Sequence, residues 1–180
     1  MMVNGVRRNL VIVAIRGTYE IFEWRSNLRV WNWYDTHIGF RLATEDVYEN
    51  LMAYKRANQL AGNAIVFTTG HSRGGAVANL LAAQLNNGNV YAYTFASPNV
   101  IRTPILDRTA QPQHTNIFNI INCHDPVPRF PRTIGLANLW NRHGVDRMHY
   151  MTTTNIPGFA VDLTYHHGMG QYLAWMQENT

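Results

Sequence analysis

Residues 10–123 predict an α/β domain built on a mostly parallel sheet. Three observations lead there. Apolar, β-branched runs alternate with longer stretches of helical period. The first run, Leu10 to Ile15 (LVIVAI), is apolar at every position, as in a strand covered on both faces. Ile65 to Leu85 (IVFTTGHSRGGAVANLLAAQL) passes from a β-branched half to an Ala- and Leu-rich half through Gly70-His71-Ser72-Arg73-Gly74. That is a strand, a tight turn and a helix in direct succession.

The elements follow in order. Arg16-Gly17-Thr18 ends the first strand. Thr44 is placed to cap the next helix, with Glu45 and Asp46 in its first turn. Val47, Leu51, Tyr54 and Asn58 trace one face of that helix, and Gly62-Asn63 stops it. Ala64 to Thr69 is the next strand and Gly75 to Leu85 the next helix, closed by Asn86-Asn87-Gly88. Asn89 to Phe95 and Asn116 to Cys123 are further strands. Residues 126–157, with several Pro and Gly and no clear period, read as loop. Gly158 to Thr164 is a candidate strand, and Gly168 to Gln177 a short closing helix. There is no internal repeat and no low-complexity linker, so 1–180 is expected to be a single domain.

Composition narrows the function. The chain has 180 residues, enough for a sizeable core. No run of about 18 apolar residues is present, so no transmembrane helix is expected. Met1 to Leu10 lacks the apolar stretch and small-residue cleavage site of a signal peptide. That favours the cytoplasm, or a processed form of a secreted protein. Cys123 is the single cysteine, which excludes an intramolecular disulfide and argues against a Cys-based metal site. It reads as a buried strand thiol. The net charge is +4, and all but one of the fifteen basic residues are arginines. They are scattered, so nucleic-acid binding has little support, and a mildly cationic surface suits anionic lipid.

The turn on Ser72 points to chemistry. In Gly-x-Ser-x-Gly, Gly70 and Gly74 leave room for a bend that exposes the serine above the sheet end. The bend also puts the Arg73 backbone N–H at a helix start, where it faces developing negative charge. A serine nucleophile needs a base, and the base needs an acid to orient it. Asp125, just past a predicted strand in His124-Asp125-Pro126, is well placed as the acid. Asp46 belongs to a helix start, Asp107 to the middle of a loop and Asp162 to a predicted strand. Of the eight histidines, His71 is too constrained by the turn to face its neighbour, and His37 and His114 precede the acid. In α/β folds with this elbow the chain order is Ser, acid, His. His143, His149, His166 and His167 remain open as the base.

Together these residues resemble the class 3 lipase family, which includes the fungal triacylglycerol lipases. Ile12 to Thr18 (IVAIRGT) is similar to its strand ending in Arg-Gly-Thr or Arg-Gly-Ser. His37 to Phe40 (HIGF) resembles its His-x-Gly-Phe, and Thr69 to Gly75 (TGHSRGG) its Gly-His-Ser-Leu-Gly-Gly elbow. Thr94 to Pro98 and Asn119 to Pro128 (NIINCHDPVP) resemble its Thr-Phe-Gly-x-Pro and Asn-x-x-Asp-x-Val-Pro. His167 to Leu173 is similar to its His-Ser-Met-x-x-Tyr-Leu. Arg73 stands in place of the usual leucine and Ala96 in place of a glycine. The segment before Leu10 is short for the family, an absence expected to expose apolar sheet surface and favour oligomers.

The resemblance implies an α/β-hydrolase fold and a serine ester hydrolase acting on glycerides or other lipid esters. It implies Ser72 as nucleophile, Asp125 as acid, His167 as base, and Thr18 with Arg73 at the oxyanion hole. It implies no metal and no organic cofactor. A lid follows the oxyanion residue in such lipases, and here Ile21, Trp24, Leu28 and Trp31 fall on one helical stripe with Arg25 and Arg29 beside it. That pattern suits either packing in the core or an amphipathic cover that meets a lipid surface. A lipase-like module that binds an acyl ligand or a protein without turnover is the reading from another class. Acyl transfer or peptidase use of the same site is a narrower one.

Overall fold

The structure is a computed structural model. It describes residues 1–3, 5–17, 38–60, 62–104, 114–131, 138–144, 147–152 and 165–179. Strands β1 (Met2–Val3) and β2 (Val6–Arg7) form a small antiparallel pair. Strand β3 (Leu10–Ile15), helix α1 (Ile38–Ala57), strand β4 (Ile65–His71), helix α2 (Arg73–Leu85) and strand β5 (Val90–Phe95) follow. Then come β6 (Ile101–Pro104), β7 (Ile117–Asn122), a 3-10 turn (Val127–Arg129), β8 (Asn138–Asn141), β9 (Met148–Met151) and α3 (Met169–Glu178).

The central sheet has the order β3-β4-β5-β7-β9, and each neighbouring pair is parallel. All five carboxyl ends therefore point the same way, which is where a site in such a sheet forms. Strands β6 and β8 pair separately and antiparallel.

The two sheet faces bury different clusters because successive strand residues point to opposite sides. On one face α1 and α2 close over Val66, Val90, Ala92 and Ile117 with Leu51 and Ala82. On the other, Tyr172 and Trp175 of α3 pack with Tyr93, Phe95, Ile120 and Met151. A buried polar knot lies under α2. Asn119 Oδ1 accepts from Asn79 Nδ2 at 3.1 Å and from Thr94 Oγ1 at 2.7 Å. Asn119 Nδ2 donates to the carbonyls of His143 at 2.9 Å and Gly144 at 3.1 Å. This ties the segment after β8 to the middle of the sheet.

Several expectations change. Thr44 is not a helix cap: α1 begins six residues earlier, and the buried Thr44 hydroxyl donates back to the Phe40 carbonyl at 2.8 Å. Asp46 accordingly lies inside α1 rather than at its start. The buried positions of α1 are Phe40, Thr44 and Leu51, while Tyr54 is exposed. Strand β3 is covered on one face only. Val11 and Val13 pack on the core, and Leu10 and Ile12 are exposed. Residues 126–157 are not all loop, since they hold the 3-10 turn, β8 and β9. Cys123 is half-buried rather than buried. The candidate strand at 158–164 lies outside the described residues, apart from which α3 sits where the closing helix was expected.

Candidate active site

The turn after β4 is strained in a specific way. Ser72 has φ 57° and ψ −126°, a region non-glycine residues rarely occupy. It is held there from both sides. Its N–H donates to the Phe95 carbonyl at 2.9 Å, and its carbonyl accepts from Ala76 N–H at 3.1 Å. The flanking glycines are needed for contact. A Cβ on Gly70 or Gly74 would collide with the backbone at the end of β3, at the Ile15 carbonyl. A Cβ on Gly17 would lie 2.6 Å from the His71 carbonyl and 3.6 Å from Ser72 Cβ. The β3 end thus abuts the elbow, and Thr18, the next residue, lies outside the described residues. So do Trp24, Leu28 and Trp31. Arg73 is the first residue of α2, so its N–H has no partner four residues back. Its side chain is exposed.

Asp125 sits three residues beyond β7, and its N–H donates to the Asn122 carbonyl at 3.0 Å. Its carboxylate is fully buried and accepts three bonds. Val127 N–H reaches Oδ1 at 2.9 Å, and His167 Nδ1 and Tyr172 Oη reach Oδ2 at 2.7 and 2.8 Å. A carboxylate can only accept, so Nδ1 of His167 is the donor in this bond. His167 is 2% exposed. Ser72 Oγ has no hydrogen-bond partner among the described residues. His71 links the two. It precedes Ser72, its Nε2–H donates to the His167 carbonyl at 2.7 Å, and the two rings lie 4.6 Å apart. Burial, then the nearby His167, pull the His71 pKa down to about 4, so its ring is neutral near pH 7.

Of the four histidines left open by sequence, His167 alone meets Asp125. His149 lies on β9 with its side chain exposed. His143 packs edge-to-face on His114 with centroids 4.7 Å apart, among the α1–α2 side chains. Burial, then His114, lower its pKa to about 4. His166 turns the other way, its ring 5.2 Å from that of His124 and its carbonyl accepting from Asn122 Nδ2 at 3.0 Å. Two residues at the site carry no chemical signal in the sequence. Tyr172 enters there only through the family spacing, yet its hydroxyl caps Asp125 and its pKa is pushed up by burial and then by that charge. His71, too constrained by the turn to act as a base, braces the His167 backbone. Among the described residues no three His, Cys, Asp or Glu side chains converge as metal ligands would. No helix among them is long and apolar enough to cross a membrane.

Comparison with known proteins matches this geometry to a family. Residues 12–134 match the family described as Lipase (class 3). The secreted mono- and diacylglycerol lipase 1 of Fusarium solani is 31% identical over 134 residues, 69% of this chain and 40% of that protein. The chain therefore spans well under half of that relative's length. Among solved structures, the mono- and diacylglycerol lipase of Aspergillus oryzae superposes with a TM-score of 0.54 at 27% identity, covering 72% of this chain and 51% of that one. An MDLA mutant from Penicillium cyclopium gives 0.55 at 25% identity, covering 90% and 64%. The parallel sheet, the serine elbow and these matches place the chain in the class 3 lipase family, with the α/β-hydrolase fold.

Proposed function

We propose that this chain is a serine ester hydrolase that cleaves acyl esters of the glyceride class through Ser72, His167 and Asp125. The observation behind the proposal is the buried His167–Asp125 hydrogen bond of 2.7 Å, formed at the same sheet end as the strained Ser72 elbow. The names of the similar proteins from Fusarium solani and Aspergillus oryzae support mono- and diacylglycerols as substrates.

Ser72 Oγ attacks the ester carbonyl carbon while His167 Nε2 takes its proton. Asp125 holds the tautomer and stabilises the imidazolium. The backbone N–H groups of Thr18 and Arg73 receive the oxyanion, helped by the α2 dipole. The C–O bond to the leaving alcohol breaks, and that alcohol takes the proton from His167. Water, deprotonated by the same imidazole, then releases the fatty acid and restores Ser72. No metal or organic cofactor enters this sequence of steps.

The test is covalent labelling with a fluorophosphonate serine probe, followed by hydrolysis of a monoacylglycerol. Labelling of the wild type, and its loss in both Ser72→Ala and His167→Ala at unchanged folding, is the expected result. A well-folded wild type that neither labels nor hydrolyses overturns the proposal in favour of a silent acyl-binding module. Labelling with release of acyl groups to an alcohol rather than to water makes the enzyme an acyltransferase.

A further inference from the structure

Arg142 is the buried residue that the reading above leaves unexplained. It follows β8 and is 4% exposed. One guanidinium nitrogen, Nη2, donates to Asn99 Oδ1 at 2.6 Å and to the Pro128 carbonyl. Its Nε and Nη1 are buried with no hydrogen-bond partner. No carboxylate forms an ion pair with it among the described residues. A buried, half-satisfied cation is an unfavourable choice for a core position that an apolar side chain fills without penalty. Residue type here calls for a functional reason.

The surroundings supply one. Asn99 N–H donates to the Phe130 carbonyl at 2.7 Å, and Asn99 Nδ2 to the Pro131 carbonyl at 3.1 Å. Val100 N–H donates to the Asn141 carbonyl at 2.7 Å. The turn of residues 125–131 is thus gripped at two points. Asp125 Oδ1 holds Val127 N–H at the near end, and Arg142 with Asn99 hold the carbonyls of Pro128, Phe130 and Pro131 at the far end. Three loops meet on Arg142: the one after β5, the one after β7 and the one after β8. Burial lowers the Arg142 pKa to about 10, against the opposing influence of Tyr150, Tyr172 and Asp125, so it stays a cation near pH 7.

We propose that Arg142 is a positioning residue for Asp125: it clamps the turn that carries the acid through the Pro128 carbonyl and Asn99. This rests on the hydrolase reading. Arg142 touches no substrate and acts through Asp125 alone, so substrate binding is left as it is while turnover depends on it.

The experiment compares wild type with Arg142→Lys, Arg142→Gln and Arg142→Met, using a short-chain p-nitrophenyl ester and rates per folded molecule. It adds amide hydrogen exchange at Val127 and Phe130. In Arg142→Met, kcat is expected to fall by roughly 10- to 100-fold with KM within about twofold, the scale of a small misplacement of a reacting group. Arg142→Lys restores most of kcat and Arg142→Gln does not, because a charged donor holds Asn99 Oδ1 and the Pro128 carbonyl more strongly than a neutral one. Exchange at Val127 and Phe130 accelerates in Arg142→Met, while amides of β4 and β5 keep their protection. An unchanged kcat in Arg142→Met, a change in KM alone, or a lysine variant no better than glutamine overturns the proposal. Should Arg142→Met not fold, the comparison of lysine with glutamine decides it. If the wild type itself turns over no ester and leaves Ser72 unlabelled, the hydrolase reading has failed separately. The exchange data then still judge the clamp, and equal exchange across the variants overturns it.

Discussion

The Tyr172 hydroxyl and the His167 ring donate to one and the same oxygen of Asp125, at 2.8 and 2.7 Å. The hydroxyl in turn accepts from Asn122 N–H at 3.1 Å, at the end of β7. A fully buried tyrosine therefore joins the strand end to the acid, and α3 is the element that delivers both Tyr172 and the turn before it. Tyr172→Phe removes two bonds while nearly preserving volume, and leaves the Asn122 N–H without this acceptor. Loss of stability by about 1–3 kcal/mol is expected, the sum for two buried hydrogen bonds of which one is to a carboxylate. Turnover falls several-fold because Asp125 loses one of its three donors. Urea unfolding with an unchanged slope, read beside kcat on the folded fraction, checks both parts. Wild-type stability in Tyr172→Phe sinks the claim that the hydroxyl matters to the fold.

The elbow depends on missing side chains as much as on Ser72. A Cβ on Gly74 meets the Ile15 carbonyl, which belongs to the β3 backbone and has no flexible end to give way. Gly74→Ala is expected to separate β3 from the start of α2 and to destabilise by about 3 kcal/mol or more, at the upper end for overpacking. Gly88→Ala is the control, since a Cβ there meets nothing within 4 Å. Denaturant midpoints of the two variants make the comparison. Equal midpoints show that the β3–elbow contact has slack.

How far the sequence reaches is clear from these same residues. The apolar runs at Leu10–Ile15 and Ile65–His71 and the Ala-rich Arg73–Leu85 are long and uniform, so their elements and the parallel sheet were legible. Thr44-Glu45-Asp46 carries every local sign of a helix start, but IGFRLA before it continues the helix, and burial of Phe40 on the α2 side outweighs the cap. The four-residue β8 and β9 have no alternation to detect; pairing with β6 and β7 makes them strands. The site divides in the same manner. Ser72 and Asp125 follow from local context, whereas the choice among His143, His149, His166 and His167 depends on how α3 docks. Only the family spacing singled out His167, the histidine that bonds Asp125. Arg142 gives no signal in the sequence, because its burial is decided by three loops distant from one another.

The last prediction concerns acid. Burial lowers His71 and His143 from the usual 6.5 to about 4. For a histidine lowered in the fold, the unfolded chain binds more protons between those two values, so stability rises with pH across that window. The contribution is complete above pH 6.5 and is lost as pH falls through about 4. Each group adds a slope of about 1.4 kcal/mol per pH unit within the window, and up to about 3 kcal/mol in all. His114 adds to the same slope, since burial lowers it too. The two main groups sit in separate surroundings, His71 against His167 and His143 against His114, so their effects are expected to add. Urea unfolding at pH 4.5, 5.5, 6.5 and 7.5 gives the slope for wild type, His71→Gln, His143→Gln and the double variant. Each single variant should remove about half of what the double variant removes. A wild-type profile that is flat from pH 4.5 to 6.5, or a double variant with an undiminished slope, shows that neither ring is held neutral by the fold.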